Sequence, residues 1–177
     1  YIESVWWSLK EIHTKGLLVS DYRVSPYCPR CGTGLSDHEL SLGYETITDQ
    51  SIYIKFPVID GDLAKKYKNL SLLVWTTTPW TTISNTAAAV GPKIEYVIAQ
   101  IEDEHFVIAK ALVAVLGEEA VIKESVLGKD LEGIHYQPPF GKSLFESDSP
   151  PALHSVVLAD YVTTEDGTGI VHQSPAF

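Results

Sequence analysis

The chain has 177 residues, 45% of them hydrophobic, and a formal net charge of -10. That is enough apolar mass for one buried core plus a small appendage. The charge excludes a broad basic footprint on phosphate backbones, so any nucleic-acid contact is expected to be local and pocket-like.

No apolar run approaches the roughly 20 residues a membrane helix needs, so no membrane partner is expected. The opening Tyr1-Ile2-Glu3-Ser4 carries neither Met nor a basic-then-apolar leader, and the sequence reads as an internal piece of a longer protein. Over residues 1–15, Ile2, Val5, Trp6, Leu9 and Ile12 fall at helical spacing, and Gly16 follows where a helix end favours a left-handed residue. Residues 17–24 are short, apolar and β-branched, which predicts a strand. Next comes Pro26-Tyr27-Cys28-Pro29-Arg30-Cys31-Gly32, which holds the only two cysteines. A disulfide across two intervening residues staples almost nothing, so a reducing compartment, the cytoplasm, is expected. Two thiols at this spacing are half of a tetrahedral zinc site. His38, Glu39 or the distant His105 are the candidates to extend it. Residues 1–43 thus read as a helix, a strand and a knuckle.

From residue 44 the texture changes. Strand-like runs are expected at 44–58, 70–77, 86–90, 96–101, 106–108, 120–126, 154–158 and 170–172. One helix is expected at 110–116, ended by Gly117, and a single turn at 63–67. Residues 137–151, with four prolines, are the richest linker. The predicted fold is α+β, an irregular and mostly antiparallel β-barrel with a few short helices, occupying 44–177.

Two stretches carry chemistry. Val74-Trp75-Thr76-Thr77-Thr78-Pro79-Trp80-Thr81-Thr82-Ile83-Ser84-Asn85 sets five threonines and two tryptophans around one proline. Pro79 cannot continue a central strand, so the chain must turn and gather hydroxyls in a small volume walled by indoles. The plain alternative is a threonine-rich strand ending in a proline turn, with both tryptophans in the core. In the second, Gly167-Thr168-Gly169-Ile170-Val171-His172-Gln173-Ser174-Pro175-Ala176-Phe177, the glycines permit a tight turn and a strand delivers His172 to its end. A lone histidine beside an apolar run is more often structural than catalytic. Ser174 would share a face with His172, but no third triad member is evident.

Trp75-Thr76-Thr77-Thr78-Pro79-Trp80-Thr81 with Ser84-Asn85 resembles the threonine-rich peptide of the editing insertion in isoleucyl-tRNA synthetases, and the Gly167–Phe177 stretch resembles the other wall of that pocket. The valyl and leucyl enzymes usually carry Thr-Thr-Arg-Pro here, so Thr78 points to the isoleucine enzyme. Glu3-Ser4-Val5-Trp6-Trp7 resembles the segment that leaves the catalytic domain, and Cys-x-x-Cys-Gly-Thr-x-Leu-Ser the first half of a zinc site completed after the insertion. The nucleotide-binding signatures of class I synthetases are absent, so no ligase activity is expected from this chain alone.

The resemblance implies hydrolysis of valine from mischarged isoleucine tRNA. Thr78 and His172 would crowd the side chain, and Thr76, Thr77 and Thr81 would hold ester, water or ribose. Trp75, Trp80, Asn85 and the Gly167-Thr168-Gly169 backbone would lie near the adenosine. No cofactor is expected for this step, while ATP, Mg and zinc would serve the parent enzyme. Expected partners are the tRNA 3′ end and the rest of the synthetase chain, in a monomer. The family's amino-binding aspartate would fall just beyond Phe177; Asp160 and Asp166 are the nearest carboxylates here. Competing readings are a zinc-ribbon binding module with a β platform, and a valyl-enzyme editing domain clearing threonine.

Overall fold

A computed structural model describes residues 1–21, 24–48, 50–141 and 153–175. The chain divides into two compact units, Tyr1–Thr48 and Asp49–Phe177.

In the first unit, helix α1 (Ile2–Thr14) follows the expected apolar stripe. Gly16 takes φ +69°. Its N–H donates to His13 O, and that of Leu17 to Ile12 O, the paired bonds that close a helix around a left-handed glycine. The expected strand at 17–24 is not formed at its described residues. The unit's ladder is β1 (Tyr27–Cys28) against β2 (Thr33–Gly34). A second helix, α2 (Asp37–Ser41), was not foreseen. Its signal is Ser36-Asp37-His38-Glu39: the Glu39 carboxylate accepts from Ser36 N–H and the Ser36 hydroxyl accepts from Glu39 N–H, a reciprocal cap.

The second unit is built on β3 (Ile52–Pro57), α3 (Gly61–Lys66), β4 (Leu70–Thr76), β5 (Ala87–Val90), β6 (Glu95–Ile101), β7 (Glu104–Ala109), β8 (Val121–Leu127), β9 (Ser155–Leu158) and β10 (Ile170–Gln173). Among the described residues of the long run expected at 44–58, the strand is β3. The helix expected at 110–116 is 3₁₀ (Lys110–Leu116), and most of the linker expected at 137–151 lies outside the described residues.

Five strands form one sheet in the order β3-β4-β7-β6-β8, and three form another in the order β10-β5-β9. Most pairings are antiparallel, but β4–β7 and β5–β9 are parallel. The architecture is α+β with mixed sheets. Both strand orders are open, and among the described residues no ladder closes them into the expected barrel. Period-two patterns specify which residues make strands but not which edges meet.

The core lies where β4, β5, β6 and β7 are covered on both faces. Leu72, Val74, Ala88, Val90, Tyr96, Ile98, Val107 and Ala109 are all buried there. Phe56 stacks on Tyr136, centroids 4.9 Å apart. Two features of this core set up the site. Strand β4 runs into a 3₁₀ turn (Pro79–Ser84). The chain then enters β5, which pairs antiparallel with β10, His172 opposite Ala88. No described helix is long and apolar enough to cross a membrane.

Candidate functional site

Proline 79 opens the 3₁₀ turn, as its fixed φ and missing N–H favour. The turn draws the threonine hydroxyls together. Thr78 N–H donates to Thr76 Oγ1 at 3.1 Å, and the two hydroxyls lie 3.3 Å apart. Thr81 Oγ1 lies 3.4 Å from Thr78 Oγ1 and donates to Thr78 O at 2.7 Å. Thr82 turns inward, buried, and donates to Pro79 O.

β10 meets this turn from across the sheet. Thr86 N–H donates to Gln173 O at 2.9 Å, which zips the turn's exit onto β10. His172 Nε2 thereby lies 2.9 Å from Thr81 Oγ1. Two residues on, and on the same face, Ser174 donates to Thr81 O at 3.0 Å. Its hydroxyl also makes a very short contact with that of Ser84, which lies 3.2 Å from Thr81 O. This serine pair was not foreseen. It fastens the turn rather than forming a triad, because the imidazole is directed to Thr81.

Burial holds the His172 pKa below the ordinary histidine value. The ring is therefore neutral at pH 7. Its Nδ1 is buried and has no hydrogen-bond partner among the described residues.

Of the residues singled out by sequence, Thr76, Thr78, Thr81 and His172 thus converge on one hydrogen-bonded cluster. Thr76 is buried at its base, and Thr77 and Thr78 are exposed. The tryptophans separate, against the plain alternative that both are core: Trp80 is 64% exposed and Trp75 is half-buried.

The Gly167–Gly169 loop packs inward. A Cβ on Gly167 would lie 2.8 Å from Trp75 Cε3, and one on Gly169 would lie 2.5 Å from Ala109 Cβ; both glycines have positive φ. Ala109 N–H donates to Thr168 O, and Tyr96 OH donates to Gly169 O at 2.6 Å. Burial pushes that phenol up to about 12. Thr168 is itself buried.

Asn85 is buried. Its amide nitrogen donates to Ala87 O at 3.0 Å, its oxygen accepts from Tyr136 OH at 2.7 Å, and His154 Nδ1 lies 3.4 Å from that oxygen. Sequence reasoning missed Tyr136 and His154, because nothing near them in the chain marks them as neighbours of the threonine turn.

An apolar cleft of about 480 Å³ borders the same turn, lined by Ile52, Ile54, Pro79, Thr82, Pro139 and Phe140 among others. It does not include the hydroxyl cluster.

In the first unit, the amide of Cys31 leads the hydrogen bonds that hold the Cys28 thiol below its usual range. Both cysteines are free thiols. The pair fits two corners of a tetrahedral zinc site. Among the described residues no group of three or more His, Cys, Asp or Glu gathers to complete one.

The full chain is 58% identical over 179 residues to the isoleucine–tRNA ligase of Thermobifida fusca and 49% identical over 178 residues to that of Thermus thermophilus; it spans 16% of each. No family model matches it. Its fold is similar to the crystal structure of GlLeuRS-CP1 (TM-score 0.59, 22% identity, covering 72% of this chain and 54% of that one). It is also similar to that of the P. knowlesi cytosolic leucyl-tRNA synthetase editing domain (TM-score 0.54, 14% identity, 70% and 58%). At such identities the likeness concerns the fold alone.

Proposed function

Because this chain belongs to the isoleucine–tRNA ligase family, of whose relatives it spans 16%, we propose that its second unit is the ligase's editing site, hydrolysing valine from mischarged isoleucine tRNA. The observation that carries the reading is the hydroxyl cluster of Thr76, Thr78 and Thr81, joined to His172 at 2.9 Å across the sheet.

A synthetic pocket sized for isoleucine holds valine almost as well, since one methylene is worth only ~1–3 kcal/mol, a limit for which the isoleucine enzyme is itself the usual illustration. A second, smaller hydrolytic site resolves the problem by steric exclusion. Here the exposed Thr78 and the half-buried His172 wall the side chain, so that isoleucine is refused. Thr77 and Thr78 present hydroxyls to the ester and the attacking water.

The water oxygen adds to the ester carbonyl, and the carbonyl–ribose C–O bond breaks. One water proton ends on the departing ribose oxygen, leaving free valine and an uncharged tRNA. An activated ester needs only an oriented water and donors at the developing oxyanion, so no covalent enzyme intermediate is required. A neutral imidazole suits this chemistry as an uncharged wall of the pocket.

The substrate's partner surface is the tRNA 3′ end. The net charge of -10 assigns the tRNA body to the rest of the ligase, and the protein acts as a monomer. No cofactor takes part in the hydrolysis. ATP and Mg belong to the parent enzyme's charging reaction, and zinc, held in part by Cys28 and Cys31, to its scaffold.

The test is release of free valine and free isoleucine from charged isoleucine tRNA by the full-length ligase, its Thr78→Ala variant and its His172→Ala variant. Valine release by the unaltered enzyme, with isoleucine also cleaved in either variant, is expected. Isoleucine retained in both variants, with valine release unchanged, would sink the assignment of the sieve to these residues.

A further inference from the structure

The hydrogen bonds of Thr81 settle a question about His172 that its position leaves open, namely which ring nitrogen carries the proton. Thr81 has one hydroxyl proton. Its oxygen lies 2.7 Å from Thr78 O, a carbonyl that can only accept, so the proton is directed there. Towards His172 Nε2, 2.9 Å away, the same oxygen can then only accept. The proton between them therefore sits on Nε2, and the neutral ring has its lone pair on Nδ1.

The opposite tautomer fails twice. It would leave two acceptors, Thr81 Oγ1 and Thr78 O, facing each other at 2.7 Å without a proton. It would also place an N–H on Nδ1, which is buried and has no partner among the described residues, and an orphaned buried N–H is rarer and costlier than an under-used acceptor.

Thr81 itself cannot drift. Its N–H donates to Thr78 O, and its carbonyl lies within hydrogen-bond distance of the paired hydroxyls of Ser84 and Ser174, which share one proton between them and give the other to it. Ser174 stands on β10, two residues from His172 and on the same face. The strand thus grips one residue at two points, Ser174 on its backbone and His172 on its side chain.

We propose that Thr81 is a positioning residue that locks His172 as the neutral Nε2–H tautomer, in one ring orientation, with Nδ1 as the ring's lone-pair nitrogen. Resting on the editing reading of this site, the lock explains how an imidazole serves as a rigid wall. A ring free to turn about its Cβ–Cγ bond would present now its edge and now its face to the side chain, and the wall would not be constant. Thr81 acts through His172 and needs no contact with the substrate.

The lock is read directly by nitrogen-15 NMR of the chain labelled at histidine, without any turnover. A pyrrole-type Nε2 and a pyridine-type Nδ1 are expected for His172 at pH 8. In Thr81→Val, which keeps the shape and removes the hydroxyl, that signature is expected to mix or reverse; in Thr81→Ser it is expected to return. In the full-length ligase, the ratio of valine to isoleucine release should fall by about tenfold in Thr81→Val and recover in Thr81→Ser.

An Nδ1–H signature in the native chain, or an unchanged Nε2–H signature in a folded Thr81→Val, overturns the proposal. So does a changed signature with an unchanged release ratio. Should the valine variant not fold, Thr81→Ser and Thr81→Cys decide, the first keeping the Nε2–H signature and the second weakening it. Failure of the unaltered ligase to hydrolyse either ester would count against the editing reading alone, because the tautomer is measured independently.

Discussion

At the scale of single residues, the site has a wet side and a dry side, and polar residues adjacent in the chain go to different ones. Thr77 and Thr78 face solvent, while Asn85 is buried with both ends of its amide occupied. Tyr136 is the partner that makes this burial tolerable. Its hydroxyl donates to Asn85 Oδ1 at 2.7 Å, and desolvation raises its pKa, so it stays a donor throughout the accessible pH range. Tyr136→Phe removes that donor and leaves the oxygen only the longer His154 contact. A loss of about 1–2 kcal/mol in urea unfolding is expected; a change below about 0.5 kcal/mol would show that the network is not holding Asn85. Sequence pattern marked the threonine turn and His172, because proline forces a turn and the glycines permit a strand end. The family resemblance set Asn85 near the adenosine, and an amide beside hydroxyls carries no local sign of what holds it. The partner that turns it inward lies 51 residues away in the chain.

Elements were easier to find than their neighbours. Alternation and β-branching disclosed β4, β6 and β7, and Gly117 the end of the 110–116 helix. A strand such as β4 buries Leu70, Leu72, Leu73 and Val74 on both faces, and a continuous apolar run of that kind states that the strand is central without naming its flanks. The parallel β4–β7 and β5–β9 ladders therefore came as additions to an antiparallel expectation. The distinction between centre and edge has a measurable consequence. Leu72 is fully buried in β4, whereas Val121 is 53% exposed on the outer strand β8. Leu72→Ala should cost about 2–5 kcal/mol through lost contacts and a residual cavity, and Val121→Ala about 0.5 kcal/mol or less. Chemical denaturation of the two variants separates them, and equal losses would contradict the sheet order.

For the molecule as a whole, the balance of charge and buried histidine sets the response to acid. His154 and His172 both have pKa values depressed by burial, and among the described residues His154 Nε2 and His172 Nδ1 are buried without partners. In the unfolded chain a histidine titrates near ~6.5. Between that value and the lower folded one, the unfolded state binds more protons than the native state, so unfolding is favoured as pH falls. The stability that depends on neutral rings is therefore complete above about pH 7 and is lost as pH drops through 6.5 towards the folded values. The carboxylates of Glu95 and Glu124, held low chiefly by hydrogen bonds from Lys110 and Lys66, add their own loss only in more acid solution, near and below ~4. Opposing both is the net charge of -10, whose self-repulsion eases on acidification. That repulsion is spread over a charged surface and screened by salt, whereas the rings are enclosed, so at about 0.15 M salt the histidines should prevail. The urea midpoint is expected to fall between pH 7.5 and 5.5, and to fall less in His154→Gln. A midpoint that rises over this interval at that salt concentration would mean that surface repulsion, and not the enclosed imidazoles, governs the acid response.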